Sequence, residues 1–240
     1  MYEEEKARLT AISTETVYCS DIDAAACAYE RDIFLRYCKP GSVLKIGVAE
    51  SKDLEKIAEK VDRLDLLDGD PVLCDRGREK LPECRFFCSL AEEFEPECSY
   101  DSIYIGHLLE HVIDPVAVLS KAASWLVPEG IIFASVPNAM SIHRQAAVIM
   151  GMLPCENYLN KRDLSIGHRR VCTPLEFHGY LRSSGLEILH TGGYLLKSLS
   201  NSQMSEVISP EDMIAFIKLG ERYPDVASEI FAVATLGKNQ

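Results

Sequence analysis

Two apolar runs, Ser102–Ile105 and Ile131–Val136, flank a helix that opens at Asp114-Pro115 and is stopped by Pro128-Glu129-Gly130. This unit constrains the chain more than any other feature. Asp supplies an N-cap, and Pro fits the first helical position, where its missing N–H leaves nothing unsatisfied. Val116, Leu119, Ala123 and Leu126 recur at helical spacing and predict one buried stripe. A strand, a helix and a second continuously apolar strand read as a parallel crossover covered on both faces. Ligands of open parallel sheets bind beyond the carboxyl ends of the strands. The turn His107–His111 lies at such an end, so one segment points to both a fold and a site.

The same rhythm continues on either side. Ser42–Ile46 (SVLKI) predicts a central strand, closed by Gly47. Leu54, Ile57, Ala58 and Val61 fall on one face of a helix over 53–61, with Asp53 as its cap. Leu64–Leu67 is a second strand, ended by the turn Asp68-Gly69-Asp70-Pro71, and Arg85–Cys88 is a third. Residues 139–173 break the alternation and read as an inserted helical lid. A helix over Pro174–Ser183 follows, then a late strand from Leu186 to His190 continuing to Tyr194–Leu196, a helix over 210–222 and a closing strand Ile230–Leu236. Residues 1–40 read as an amphipathic helical cap on an α/β domain spanning 41–240. The architecture this predicts is a doubly wound, mostly parallel seven-stranded sheet with an antiparallel last strand.

Bulk properties narrow the partners. The chain of 240 residues carries a net charge of −12, a field that repels nucleic acid and anionic membrane surfaces. No run of ~18 apolar residues is present, which argues against a membrane span. The acidic start, MYEEEKARLT, lacks an apolar signal core, so the expected location is cytoplasmic. Nine scattered cysteines, an odd number, predict free thiols rather than a disulfide framework. Cys74, Cys84, Cys88 and Cys98 cluster, but their gaps match no zinc-ribbon spacing, and no metal is assigned.

LLEHVIDP at 108–115, LVPEG at 126–130 and SVPN at 135–138, at their mutual spacing, resemble the class I S-adenosylmethionine-dependent methyltransferases, most closely the small-molecule branch. The resemblance covers about residues 40–240 and implies a Rossmann-like fold. It also implies a cofactor edge at the ends of the first strands, lined here by Lys45, Gly47, Val48, Ala49, Asp68, Gly69, Ser89, Leu90 and His107. A small residue at Gly47 lets backbone approach the ligand, and Asp68, 21 residues on (68 − 47), matches the carboxylate that holds the ribose hydroxyls. The chain departs from the family pattern at three places. Lys45 stands where an acidic residue is usual, Ala49 and Ser51 replace glycines, and Leu90 occupies the place of an acidic residue that reads adenine. A cation ~4–6 Å from a sulfonium or ammonium repels it by roughly 3–4 kcal/mol at an effective dielectric near 20. Lys45 must therefore turn away or pair with Glu50 or another carboxylate.

The polar lid residues Arg144, Asp163 and Arg169 are candidates for binding a small polar substrate. Methyl transfer to a hydroxyl or protonated amine needs a base, and His111, His143 and His168 are candidates for it. His107-Leu108-Leu109-Glu110-His111 also satisfies the zinc-peptidase pattern H-x-x-E-H. That pattern requires one long helix, whereas a new helix begins at Pro115, only a few residues on. The function these features predict is O- or N-methylation of a small polar metabolite. The alternative is a chain of this fold that binds a ligand or a partner without methylating; a homodimer or a partner-protein complex is compatible with either.

Overall fold

β-branched and aromatic residues favour pleated backbone, and they are frequent in the central strands of this chain. The computed structural model describes residues 2–15, 21–48 and 54–237. Its strands are β1 (Ser42–Ile46), β2 (Arg63–Asp68), β3 (Arg85–Cys88), β4 (Tyr100–Gly106), β5 (Leu126–Pro137), β6 (Leu186–Tyr194) and β7 (Glu229–Leu236). They form one sheet in the order β3-β2-β1-β4-β5-β7-β6. The first five strands are parallel, and β7 runs antiparallel between β5 and β6. Strand order reverses between β1 and β4, so the crevice of the fold opens at their carboxyl ends.

Ten α-helices connect and cover the sheet among the described residues: α1 (Tyr2–Glu15), α2 (Asp21–Tyr37), α3 (Leu54–Ala58), α4 (Pro71–Lys80), α5 (Pro115–Ser124), α6 (Ile142–Ile149), α7 (Lys161–Ser165), α8 (Pro174–Ser183), α9 (Asn201–Val207) and α10 (Pro210–Leu219). Alternate residues of each strand face opposite layers. Leu44, Ile103 and Ile132 pack with Leu119 of α5 and Phe177 and Leu181 of α8. Val43, Leu66 and Phe133 pack on the other face with Ile33 and Phe34 of α2 and Met213 and Ile217 of α10. Phe34 stacks on Tyr104 with ring centroids 4.6 Å apart.

The capped helix in the middle of the chain forms as the sequence predicts. Asp114 accepts hydrogen bonds from the Val116 and Ala117 amides at 2.9 and 3.1 Å. Its buried stripe is Val118, Leu119, Ala122 and Ala123, one step round from the predicted face. Strand β5 starts earlier than the turn signal suggests. Leu126 already pairs with Tyr100, and the next partners are Ile131 and Ser102, so Pro128-Glu129-Gly130 loops out as a bulge with Glu129 at φ 63°. Two helices have no counterpart in the sequence reading. Asp70 caps α4 through Val72 N at 2.9 Å, so the turn after β2 launches a helix whose charged face hid its period. Ser200 and Gln203 cap α9 reciprocally. The proposed Asp53 cap of α3 and the residues Ala49, Glu50 and Ser51 lie outside the described residues. Every described cysteine is a free thiol. No helix among the described residues is long and apolar enough to cross a membrane.

Candidate functional site

The edge formed by β1, β2 and β3 is held by one carboxylate. Gly47 turns left-handed at φ 77°, a backbone state that costs other residues about 1–2 kcal/mol, and its amide bonds Leu67 O at 2.9 Å. Asp68 accepts the Val48 amide on one oxygen at 2.7 Å and the Asp70 amide on the other at 2.8 Å. It thereby locks together the loops after β1 and β2. Burial pushes its carboxyl up, against the pull of those two amides. The Ser89 amide reaches Asp68 O at 2.9 Å, which brings the end of β3 into the same edge. Gly69 has no room for a side chain: an added Cβ would sit 2.6 Å from Leu90 and 3.0 Å from Leu9 of α1. Leu9 and the buried Leu90 thus close over the glycine.

Beside this edge, at the ends of β4 and β5, lies a buried polar cluster. Lys45 is 7% exposed. Its ammonium bonds Ile46 O at 3.1 Å and lies 4.2 Å from the centre of the Tyr104 ring. Burial lowers its pKa, and the largest opposing pull is the buried carboxylate of Glu30 from α2. Glu30 also accepts the Ser135 hydroxyl and packs against Gly106, where a Cβ would come within 2.3 Å of it. His107, at φ 50°, donates or accepts at both ring nitrogens, to Glu110 at 3.2 Å and the Tyr194 hydroxyl at 2.9 Å. Burial alone would lower its pKa; Glu30, Glu110 and Glu229 around it instead raise it to about 10. Glu229 shows the reverse balance. Burial raises it to about 7 despite His107 and Lys197, and its Oε2 has no hydrogen-bond partner.

The polar residues of the predicted lid, 139–173, split into two groups. Arg144 is buried, and it bonds the carbonyls of Glu156 (2.6 Å) and Tyr158 and pairs with Asp163 at 3.3 Å. Asp163 also closes the capping box of α7. Arg169 bonds His111 O at 2.9 Å and Glu5 of α1 at 2.6 Å. The three residues predicted to bind substrate therefore hold the lid and α1 in place. His143 faces Ser228 at 3.4 Å, and burial, with Lys197 and Arg144 nearby, lowers it to about 3. His111 is lowered to about 4, mainly by burial, and packs edge-on against His168 at 4.8 Å between ring centroids. The structure thus brings His107, His111 and His168 around Glu110 and leaves His143 on a separate wall.

A family profile for methyltransferase domains matches residues 22–191. The chain belongs to this family. It is the class I, S-adenosylmethionine-dependent fold that the sequence motifs resemble, and the antiparallel β5-β7-β6 edge agrees with it. Among curated proteins, trans-aconitate 2-methyltransferase of Enterobacter sp. (strain 638) is 32% identical over 76 residues, covering 32% of this chain and 30% of that protein. The ubiquinone biosynthesis O-methyltransferase of Xanthomonas euvesicatoria pv. vesicatoria (strain 85-10) is 29% identical over 104 residues, 43% of this chain and 42% of that protein. The matches thus span between 30% and 42% of these relatives' own length. The N-methyltransferase NodS of Bradyrhizobium japonicum WM9, in complex with S-adenosyl-l-homocysteine, superposes with a TM-score of 0.60 at 12% identity, covering 97% of this chain and 96% of that one; it shares the fold.

S-adenosylmethionine is the cofactor of this methyltransferase class, and the observed edge fits it. The left-handed Gly47 brings backbone close to the crevice, and the Asp68 carboxylate sits at the end of β2 with lone pairs beyond its two amide bonds. The Lys45 cation, the departure hardest to reconcile from sequence, is folded onto Tyr104, and among the described residues its largest attraction is the Glu30 carboxylate. Sequence reasoning missed Glu30, Tyr194 and Glu229. Glu30 sits on a helix distant in sequence. Glu229 opens the last strand, and only the antiparallel pairing Pro137↔Glu229 carries it to the carboxyl end of β5.

Proposed function

We propose that this chain transfers a methyl group from S-adenosylmethionine to an oxygen or nitrogen of a small polar metabolite. The single observation that carries the reading is the Asp68 carboxylate, which ties the Val48 and Asp70 amides into one rigid edge beside the left-handed Gly47. When bound, the cofactor supplies a methyl group on a sulfonium, already activated toward displacement. The chain's own residues bind, orient and move a proton. Gly47, Val48, Asp68, Gly69, Ser89 and Leu90 hold the cofactor, with Asp68 accepting from the ribose hydroxyls. α1 caps the adenosine end through Leu9. The lid over 139–173 orients the acceptor by excluding water.

Proton removal is assigned to Glu229. Its unpartnered oxygen lies 3.9 Å from His107 Nε2, and a carboxyl held near 7 suits a base working at neutral pH. His111 and His143, at about 4 and 3, are neutral but weak bases there. Calorimetry with S-adenosylmethionine and S-adenosylhomocysteine tests the reading, with micromolar binding as the expected result. Asp68→Ala should weaken it at least ~10-fold, since each hydrogen bond to a charged acceptor contributes about 1.5–3 kcal/mol. Absence of heat up to millimolar ligand would leave the non-methylating alternative.

A further inference from the structure

His107 to His111 carries the zinc-peptidase pattern without the long helix that pattern requires, yet the fold completes part of it from elsewhere. The lid returns His168 to the loop after β4. One ligand atom each from Glu110, His111 and His168 lies within 4.8 Å of the others. We propose that Glu110, His111 and His168 bind a divalent first-row ion of the zinc type, and that this ion clamps the lid to the loop after β4.

Four features of the site support this. Glu110 is fully buried, its Oε1 lies 4.0 Å from His168 Nε2, and its Oε2 has no hydrogen-bond partner. A buried carboxylate oxygen left without a partner is costly unless something binds it. Glu110 Oε1 is already held by His107 Nδ1 at 3.2 Å, which fixes the carboxylate plane. His111 donates one ring nitrogen to the Gly167 carbonyl, leaving the second with a lone pair. His168 Nδ1 lies 3.6 Å from Asp163 Oδ1, and its Nε2 lies 4.0 Å from Glu110 Oε1. The Gly167 carbonyl behind His111 is the outer shell that orients a histidine ligand, and Asp163 stands ready to play that part for His168, whose Nδ1 has no hydrogen-bond partner yet. The Asp163 carboxylate is fixed in turn by Arg144 at 3.3 Å.

The donor set of two imidazoles and one carboxylate suits zinc and its neighbours and leaves a coordination position open. Bonds of ~2.0–2.1 Å place tetrahedral ligand atoms roughly 3.3–3.5 Å apart, so the side chains need to close by about an ångström. The backbone is rigid enough to hold them. Arg170 bonds the carbonyls of Leu109 (2.7 Å) and Val112 (2.6 Å), Arg169 bonds that of His111 (2.9 Å), and Arg8 reaches those of His111 (3.2 Å) and Gly167 (3.1 Å). The open position would take an oxygen ligand, a hydroxyl or a carboxylate.

The test is titration of the chelator-stripped full chain with cobalt(II), followed by visible absorption, and by competition with zinc(II). The expected result is one equivalent bound with nitrogen–oxygen d–d bands and no thiolate charge-transfer band. Glu110→Gln, His111→Gln and His168→Gln are expected to lower affinity more than ~100-fold, and Asp163→Asn about 10–100-fold. Hydrogen exchange of residues 161–170 should slow when zinc is added to the parent and stay unchanged in His168→Gln. Equal affinity in parent and His168→Gln, or bands of thiolate character only, would overturn the site. Neither readout uses the cofactor or activity, so the outcome is independent of the methyl-transfer reading.

Discussion

Replacing Glu30 by Gln tests how the chain tolerates a lysine at the cofactor edge. Lys45 is buried, and its lowered pKa shows that burial outweighs the attractions it finds. Those attractions are the Tyr104 ring at 4.2 Å, the Ile46 carbonyl at 3.1 Å and the Glu30 carboxylate. A desolvated cation–π contact contributes about 2 kcal/mol and a charged hydrogen bond about 1.5–3 kcal/mol. Together these are comparable with the several kcal/mol needed to bury an ammonium, and since the lowered pKa shows a deficit even with Glu30 present, losing Glu30 should be costly. Glu30→Gln alone leaves the cation uncompensated and should cost about 3–5 kcal/mol. Lys45→Met removes the buried cation while Glu30 keeps the Ser135 hydroxyl and His107 at 3.7 Å, so its cost should be smaller, about 1–3 kcal/mol. In the Lys45→Met background, Glu30→Gln should cost only about 1 kcal/mol, giving a coupling of about 2–4 kcal/mol. Urea unfolding of the four proteins at neutral pH measures this cycle. A coupling below about 0.5 kcal/mol would refute the argument and leave the Lys45 cation free to repel the cofactor.

Glu229→Gln should lower kcat about 10²–10⁴-fold and abolish the rate dependence on pH near 7, measured by methyl transfer across pH. Stability should fall on acidification between pH 6.5 and about 4, because His111 is neutral when folded while the unfolded histidine protonates first. At 1.36 kcal/mol per unit the His111 contribution reaches about 3 kcal/mol, and His111→Gln should flatten that limb in urea melts. His107 acts in the opposite sense: its folded value of about 10 stabilises below 6.5, and that stability is lost as pH rises toward 10. Arg144→Met should cost about 3–5 kcal/mol, since it strands Asp163 and two lid carbonyls, and hydrogen exchange should show residues 156–163 opening.

Local chemistry wrote much of this fold into the sequence. Asp114-Pro115 fixes where α5 begins because capping acts within one turn, and apolar runs such as Ser42–Ile46 fix the strands because a parallel sheet is covered on both faces. The turns at Gly47 and Asp68 were legible for the same reason: each acts on backbone within its own loop or the adjoining one. α4 was not legible, because a charged helix packed on one narrow face shows little apolar period. The electrostatics of the site came only from tertiary structure. Which carboxylate answers Lys45, which way His107 and Glu229 titrate, and that His168 meets Glu110 all depend on residues brought together from α2, β7 and the lid. Burial and charge pairing are set by what surrounds a group in space, and in this chain the partners lie far apart along the sequence.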